Sequence, residues 1–495
     1  MDEIPTSSSS NLQPSEEGFD TGITSVEGAN SGDINQPIES DFNEATTSYP
    51  HNTLKAANDI EHEDEAFKDC SEGHDWSQMP DTVMLRIYMF LFRDIDRSRL
   101  ALTCKRLYNL FQTACLWRRR TYNLTGMPQN EQIKALGFSK KHGAHLRYIK
   151  IYCYHPSYNI CKRFQKTVTT FLGYIHLKAR LREFRLLHLD IDRYWRFDFI
   201  RQKLFCSLAR FFRHQRAMRV FDMSSASVSL PGGCRLLFAL AEGAKNSLED
   251  LNLTDYFQSR SDARNNQRFQ RAMSRFNNLT VLQLNYNCVS DDLLLAISSS
   301  CGTTLKLLRI KVHRYDPHHH QIEKETWKAV TKLSPYVNVE MSFWYIGRYS
   351  ELSRLLVSKM PLTYLYIRSG SDHEDEWHLN QLVMHIAGFF SKTLEYCHLD
   401  LVNTHELIDS SLLEMLPKMK NLTSLELNCN IIVNTMEEIC KLQRDFKIGL
   451  QRCIVTALGL TELEYSMMSA IKAAYKDMIE HRGLDFDFST DYVVS

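Results

Sequence analysis

Three histidines stand in a row at 318–320, with His313 and Asp316 just before them, and thirteen cysteines are scattered along the chain. These are the side chains best able to bind a metal or act as nucleophiles. Adjacent histidines in a loop point in different directions and lack the i, i+4 spacing that places two imidazoles on one helix face, so the run reads as a solvated loop, not a metal site. The cysteines occur singly, in apolar contexts such as Cys104, Cys206 and Cys397. With no CxxC pair there is no zinc ribbon or thioredoxin-type centre, and isolated cysteines of this kind read as small buried hydrophobes. No nucleophile-elbow GxSxG, zincin HExxH, P-loop or GxGxxG pattern occurs, so no catalytic residue, metal or cofactor is expected. The chain is read as a non-enzyme whose chemistry is that of binding surfaces.

The elements that would carry such surfaces are legible. "NLTVLQLNYNC" (278–288) and "NLTSLELNCNI" (421–431) share one frame, L-x-x-L-x-L with an asparagine three places after the last leucine. The frame, with apolar replacements, starts at Leu146, Leu181, Met218, Leu248, Leu279, Leu305, Leu362, Leu394 and Leu422. Between Leu305 and Leu362 one degenerate repeat fits, and "NVEMSFWY" (338–345) alternates as a strand does. Helical stretches such as "SDDLLLAISSSC" (290–301) lie between strands, and strand plus helix at a period near 28 is the leucine-rich-repeat signature. One repeat cannot bury its own apolar face, so the array must stack into an α/β solenoid with parallel strands on the concave face and helices on the convex face. Asn287 and Asn430 are expected to bond backbone groups where the chain leaves the strand.

Alternation along the strands assigns a second set of side chains. With the leucines inward, Tyr148, Lys150 and Tyr152, then Gln283 and Asn285, then Lys306, Arg309 and Lys311, then Tyr364, Tyr366 and Arg368 face the concave side. Aromatics mixed with Lys and Arg on such a face suit a protein partner, an acidic one by charge, as well as they suit an ordinary mixed surface. Candidate target-binding residues are Tyr148, Tyr152, Gln283, Asn285, Arg309, Lys311, Tyr364, Tyr366 and Arg368.

Ahead of the repeats, residues 74–124 form a short helical segment. Asp81 can cap a helix bearing Val83, Met84, Ile87, Tyr88, Phe90 and Leu91 at spacings of three and four. "RDIDRSR" (93–99) interrupts the pattern, a second helical run carries Leu100, Ala101, Cys104, Leu107, Tyr108 and Phe111, and Leu116 and Trp117 close it. A unit that small gains only roughly 3–5 kcal/mol from its own core, so its apolar surplus must rest on the next domain, a partner, or both. After the repeats, Thr461 and Glu464 make a capping box, Gly483 stops the helix, and Leu463, Met467, Ile471, Ala474 and Met478 are assigned to its apolar face. The end "LDFDFSTDYVVS" reads as a flexible tail.

The 495 residues carry no net formal charge, but the zero hides an asymmetry. Residues 1–75 hold eighteen Asp and Glu against Lys55 and Lys68, a balance of −16, so the remaining 420 carry +16. The first 73, rich in Ser, Glu, Asp, Asn and Thr, lack the apolar surface to offset ordering entropy and are expected to be disordered. The basic residues are scattered, with "RRR" (118–120) the densest run, which argues against nucleic-acid binding. No secretory signal and no apolar run of about 18 residues is present, so a cytoplasmic or nuclear location away from membranes is expected. The expected division is an acidic region 1–73, the helical segment 74–124, the solenoid 125–460, and a capping helix with tail 461–495.

The helical segment resembles the F-box family: Met79-Pro80 at its start, an apolar helix from Val83 to Leu91, then Cys104-Lys105-Arg106, and a terminal Leu116-Trp117. Met79 stands where leucine is usual, and Thr82 where an acidic residue is common. "DYF" (255–257), "LQLNYNCVSDDLL" (282–294) and "KVHRYDPHHH" (311–320) resemble one subgroup of that family, F-box only protein 39 and its close relatives. The resemblance implies a substrate-recognition subunit of an Skp1–cullin–F-box ubiquitin ligase. The F-box would bind an Skp1-type adaptor, and through it cullin and RING subunits, while the repeats hold a protein substrate. It makes Met79, Pro80, Val83, Leu85, Ile87, Leu91 and Trp117 the Skp1-contact candidates, with Trp117 as a large anchor. The other reading is a non-catalytic scaffold that uses the same helices without delivering ubiquitin.

Overall fold

A computed structural model describes residues 79–91, 93–124, 129–153, 158–191, 195, 197–370 and 377–494, all within one compact unit. The acidic region expected to be disordered lies outside the described residues. Three helices come first: α1 (Asp81–Phe90), α2 (Asp94–Ala101) and α3 (Lys105–Phe111), then a 3-10 turn at Ala114–Trp117. Strands follow at β1 (Arg119–Asn123), β2 (Tyr148–Tyr152), β3 (Glu183–Leu187), β4 (Val220–Asp222), β5 (Asp250–Asn252), β6 (Val281–Asn285) and β7 (Leu307–His313). The series goes on through β8 (Asn338–Trp344), β9 (Leu362–Arg368), β10 (Tyr396–Asp400), β11 (Ser424–Cys429), β12 (Arg452–Ala457), β13 (Leu460–Thr461), β14 (Asp485–Thr490) and β15 (Val493–Val494). All but β13 and β15 form one sheet in chain order, every neighbour parallel. Between the strands run α4 (Gln129–His142), α5 (Tyr158–Ile175), α6 (Asp198–Phe212), α7 (Leu230–Ala244), α8 (Gln267–Met273) and α9 (Asp291–Cys301). Then come α10 (Lys324–Leu333), α11 (Tyr349–Leu355), α12 (Leu379–Phe390), α13 (Asp409–Met415), α14 (Val433–Arg444) and α15 (Glu462–His481).

The repeat frame is the cause of this order. All nine frame-starting residues, Leu146 to Leu422, are at most 3% exposed, and the inward strand positions behind them join one continuous core. Each such side chain contributes on the order of 2 kcal/mol by leaving water. The strand at 338–344 takes its place between β7 and β9. Asn287 donates from Nδ2 to the Ser261 carbonyl at 2.7 Å, as its position off the strand requires. At the later repeat the working side chain is Asn403, not Asn430: Asn403 accepts from the Asn430 N–H at 2.7 Å and donates to its carbonyl at 2.9 Å.

Several local expectations are corrected. "RDIDRSR" follows the expected break, which falls between α1 and α2, but most of it is itself helical: Asp94 and Asp96 sit in the first turn of α2, where the helix dipole favours acids. Asp81 does not cap α1; its carboxylate accepts from Arg106 Nε at 3.0 Å and Nη2 at 2.7 Å, tying α1 to α3. The first strand, β1, falls inside the segment read as F-box, and its pairing with β2 makes it the sheet's first strand. The end of the chain is no flexible tail: β14 pairs with β12 and buries Phe488, while Asp485 and Asp487 face out. The capping box on α15 is present, but the buried stripe runs through Met468 and Ile471, leaving Leu463, Met467 and Ala474 exposed. Cys397 is buried as expected, yet Cys104 and Cys206 are exposed, and Cys104 Sγ accepts from the Leu107 N–H at the start of α3.

Candidate functional site

The helical unit has a small core of its own. Met84 and Tyr88, one turn apart on α1, pack against Leu107, Leu110, Leu116 and Trp117. The Tyr88 hydroxyl donates to the Leu107 carbonyl at 2.9 Å, and burial pushes its pKa up to about 12. The opposite side of α1 is left in water: Val83 is 40% exposed and Phe90 73%, with the half-buried Ile87 between them at helical spacing. Leu102, in the turn between α2 and α3, is 82% exposed, and Met89, Ile95 and Tyr108 are also open. Of the adaptor-contact candidates, Pro80 and Val83 are exposed, and Met79, Leu85, Ile87 and Leu91 are half-buried against the core.

Trp117 is the correction. At 3% exposure it cannot serve as a free anchor. Its indole donates to the Phe111 carbonyl at 2.8 Å, meets the Phe111 ring edge-on at 4.8 Å, and stacks on His142 of α4 at 4.5 Å. Phe138 packs against both the helical core and the solenoid core. Arg120 of β1 lies over the rings of Trp117 and Phe138 and bonds Asp94 of α2 at 2.9 Å. Arg97 Nε donates to the carbonyls of Leu91 at 2.7 Å and Tyr88 at 3.2 Å. The helices are therefore fastened to the first repeat through Trp117. Phe90 and Leu102, the most open apolar side chains of the unit, were missed because helical spacing tells which residues share a face but not which face a small core leaves uncovered.

On the strand side, register brings part of the candidate set together. Arg309, Glu340, Tyr364 and Tyr396 form one row across β7–β10; Lys311, Ser342, Tyr366 and His398 form the next; His313, Trp344, Arg368 and Asp400 the third. Trp344, Tyr366 and His398 make a continuous ring contact, at 5.2 and 4.8 Å between centroids. Tyr345 holds φ +62 and lies under the Arg368 guanidinium at 5.5 Å. Burial raises the Tyr366 pKa to about 12 and lowers that of His398, which Glu426 at 3.2 Å pulls back upward. Trp344, Tyr345, Tyr396 and His398 were not assigned in advance, although alternation within "NVEMSFWY" would have found Trp344.

Other candidates lie elsewhere. Tyr148 and Tyr152 are half-buried on β2, six strands from β8, or roughly 29 Å at about 4.8 Å per strand. Gln283 is half-buried on β6 beside Arg309. Asn285 is buried and not a free surface residue: its Nδ2 donates to Asp255 and Asp316, both at 2.8 Å, and its Oδ1 accepts from the Asp255 N–H. Lys311 donates to Asp255 at 2.6 Å, Arg309 pairs with Glu340, and Arg368 with Asp400 at 3.4 Å. These carboxylates neutralise the basic residues, so the patch is aromatic and charge-balanced, and an acidic target is not what it favours. The histidine run is not a solvated loop: His318 is buried, His320 stacks on Tyr286 at 4.4 Å and bonds the Val289 carbonyl at 2.9 Å, and only His319 is exposed. The stretches 255–257, 282–294 and 311–320 thus meet in one polar knot. Among the described residues no cluster of His, Cys, Asp or Glu could hold a metal ion, and no helix is long and apolar enough to cross a membrane.

A three-helix unit with one open apolar face is fixed here to a solenoid of leucine-rich-repeat type. Residues 76–123 match the F-box-like family model. F-box/LRR-repeat protein 21 of Mus musculus is 24% identical over 385 residues, covering 74% of this chain and 80% of the relative. The Ovis aries protein of the same name is 25% identical over 387 residues with the same coverage. These matches support an F-box, leucine-rich-repeat protein.

Proposed function

We propose that this chain is the substrate-recognition subunit of an Skp1–cullin–F-box ubiquitin ligase, non-catalytic itself, with the α1 face docking an Skp1-type adaptor. The observation that carries this reading is the open stripe Val83–Ile87–Phe90 with Leu102, on a unit whose other side is sealed by Trp117. F-box domains in general bind Skp1, and the similar proteins named above share the F-box and repeat layout. Its mechanism is proximity: cullin and RING subunits bring the conjugating enzyme, and the repeats raise the local concentration of a target's lysines. The β7–β10 patch, centred on Trp344, Tyr364 and Tyr366 with Arg309, Lys311 and Arg368 around it, is the target-binding surface; Gln283 borders it beside Arg309, and Tyr148 and Tyr152 lie too far along the sheet to act with its centre. The likeness of residues 255–257, 282–294 and 311–320 to F-box only protein 39 and its relatives is part of this proposal and rests on the sequence alone, as does a cytosolic or nuclear location.

The test is co-purification of the full chain with Skp1, comparing the parent with Val83→Glu/Phe90→Glu. Loss of the complex at an unchanged melting midpoint supports the interface; undiminished binding refutes it. Reconstituted ligation with cullin and RING subunits then asks for ubiquitin on a captured protein, and its absence would leave a scaffold that only holds partners.

A further inference from the structure

The helix face of the early repeats carries a feature that the adaptor reading does not use. Between α6 and α7 lies an open groove of about 950 Å³. Four guanidiniums line it: Arg201 from α6, Arg213 just after α6, Arg235 from α7 and Arg268 from α8. Two are held by carboxylates, Arg201 by Asp198 and Arg213 by Glu242 at 2.7 Å. The other two are not. Among the described residues Arg235 reaches only the thiol of Cys206, at 3.4 Å, a weak acceptor, and Arg268 makes no hydrogen bond or ion pair. Among the described residues, four positive charges against two negative leave the groove at +2. Its surroundings do not compensate, since residues 158–182 hold six Lys and Arg and no Asp or Glu.

The wall between the guanidiniums is apolar, built from Phe205 and Phe238. The close fit of α7 on α6 depends on Gly232, where a Cβ would meet Phe205 Cε2 at 2.8 Å. Unpaired arginines select phosphate over a lone carboxylate, because the planar fork offers paired donors to its oxygens and a phosphomonoester carries nearly twice the charge. A bare inorganic anion or a uniformly charged polyphosphate would leave the phenyl rings unused. A peptide bearing one phosphate uses both kinds of wall, and the volume lies in the range of a ligand-sized cleft. We propose that this groove docks a phosphorylated segment of a partner protein, its phosphate on Arg235 and Arg268 and its neighbouring side chains on Phe205 and Phe238. This binding is independent of whether the chain delivers ubiquitin.

The experiment presents the full chain, without adaptor, to degenerate peptide arrays with a central phosphoserine, phosphothreonine or phosphotyrosine and to their unphosphorylated twins. The best pairs are then measured by fluorescence anisotropy. The expected result is binding at least tenfold tighter for the phosphorylated peptide. Arg235→Glu/Arg268→Glu should abolish that preference while leaving the melting midpoint and Skp1 capture unchanged. Equal binding of phosphorylated and unphosphorylated twins would overturn the proposal, as would a preference that survives in the double variant. Tight binding of inositol hexakisphosphate with no phosphopeptide preference would overturn the assigned occupant.

Discussion

At its first strand the sheet is covered by a separate helical unit, and at its last by a strand and helix that continue the repeats. A solenoid exposes two raw ends, each with a row of unpaired backbone groups and an open core, and each must be closed. The far end closes on itself: β14 inserts Phe488, turns Asp485 and Asp487 outward, and is pinned by Arg452 to Asp485 at 2.7 Å and Lys472 to Asp487 at 2.8 Å. A charged last strand resists further pairing. The near end closes with Trp117, Phe138 and Arg120, and the unit that does so keeps Val83, Phe90 and Leu102 in water. One terminus is finished to stop association, the other in a way that leaves a surface to associate with.

The largest effect should come from the near closure. Trp117→Ala removes a ring that touches Phe111, Phe138 and His142, and should cost about 3–5 kcal/mol in denaturant unfolding. Adaptor binding would then fall only because the helices lose their seat, which separates this variant from the surface pair Val83/Phe90. At the far end Phe488→Ala should cost slightly less, about 3 kcal/mol, read as faster hydrogen exchange confined to β12 and β14. If exchange instead rises throughout the sheet, the two ends are not independent. Val83→Glu/Phe90→Glu should weaken Skp1 binding by at least tenfold, about 1.4 kcal/mol, with no change in melting midpoint. Leu463→Glu on α15 should leave adaptor binding untouched, which sharpens the contrast.

The smallest effect is a pH dependence. Burial against Trp117 pushes the His142 pKa down to about 4 from its usual 6.5. Lys141, His145 and Arg120 act in the same direction and Asp94 opposes them. The folded state therefore disfavours the imidazolium. The stability this represents is complete above pH 6.5 and is lost as pH falls from there toward 4, by on the order of 1 kcal/mol. His142→Asn should be less stable at pH 7 but show a flatter profile across that window in parallel melts.

Much of this fold was legible because its signal repeats. Nine frames at similar spacing reinforce one another, and a leucine at Leu279 or Leu422 has one use in such an array. The exceptions lack that reinforcement. Strand β1, "RRTYN", has no leucine and takes its place only because β2 stands beside it. "DFDFST" looks like a polar tail until β12 supplies the partner that buries Phe488. At the candidate site, residue types were visible and directions were not. Trp117 looked like an anchor by size, and whether it faces α4 or water is decided by Phe138 and His142, some twenty residues away in sequence. Asn285 alternates outward as expected, yet Asp255 and Asp316 close over it.

Fastening the helices to β1 has a metric consequence. Because Trp117 and Arg120 remove freedom at that joint, the span from the open α1 face to the aromatic rows is set by a count of strands, seven steps from β1 to β8, or roughly 34 Å along the sheet at about 4.8 Å each. The solenoid then works as a ruler, and inserting or deleting one whole repeat between them would move the aromatic rows by one graduation relative to the α1 face.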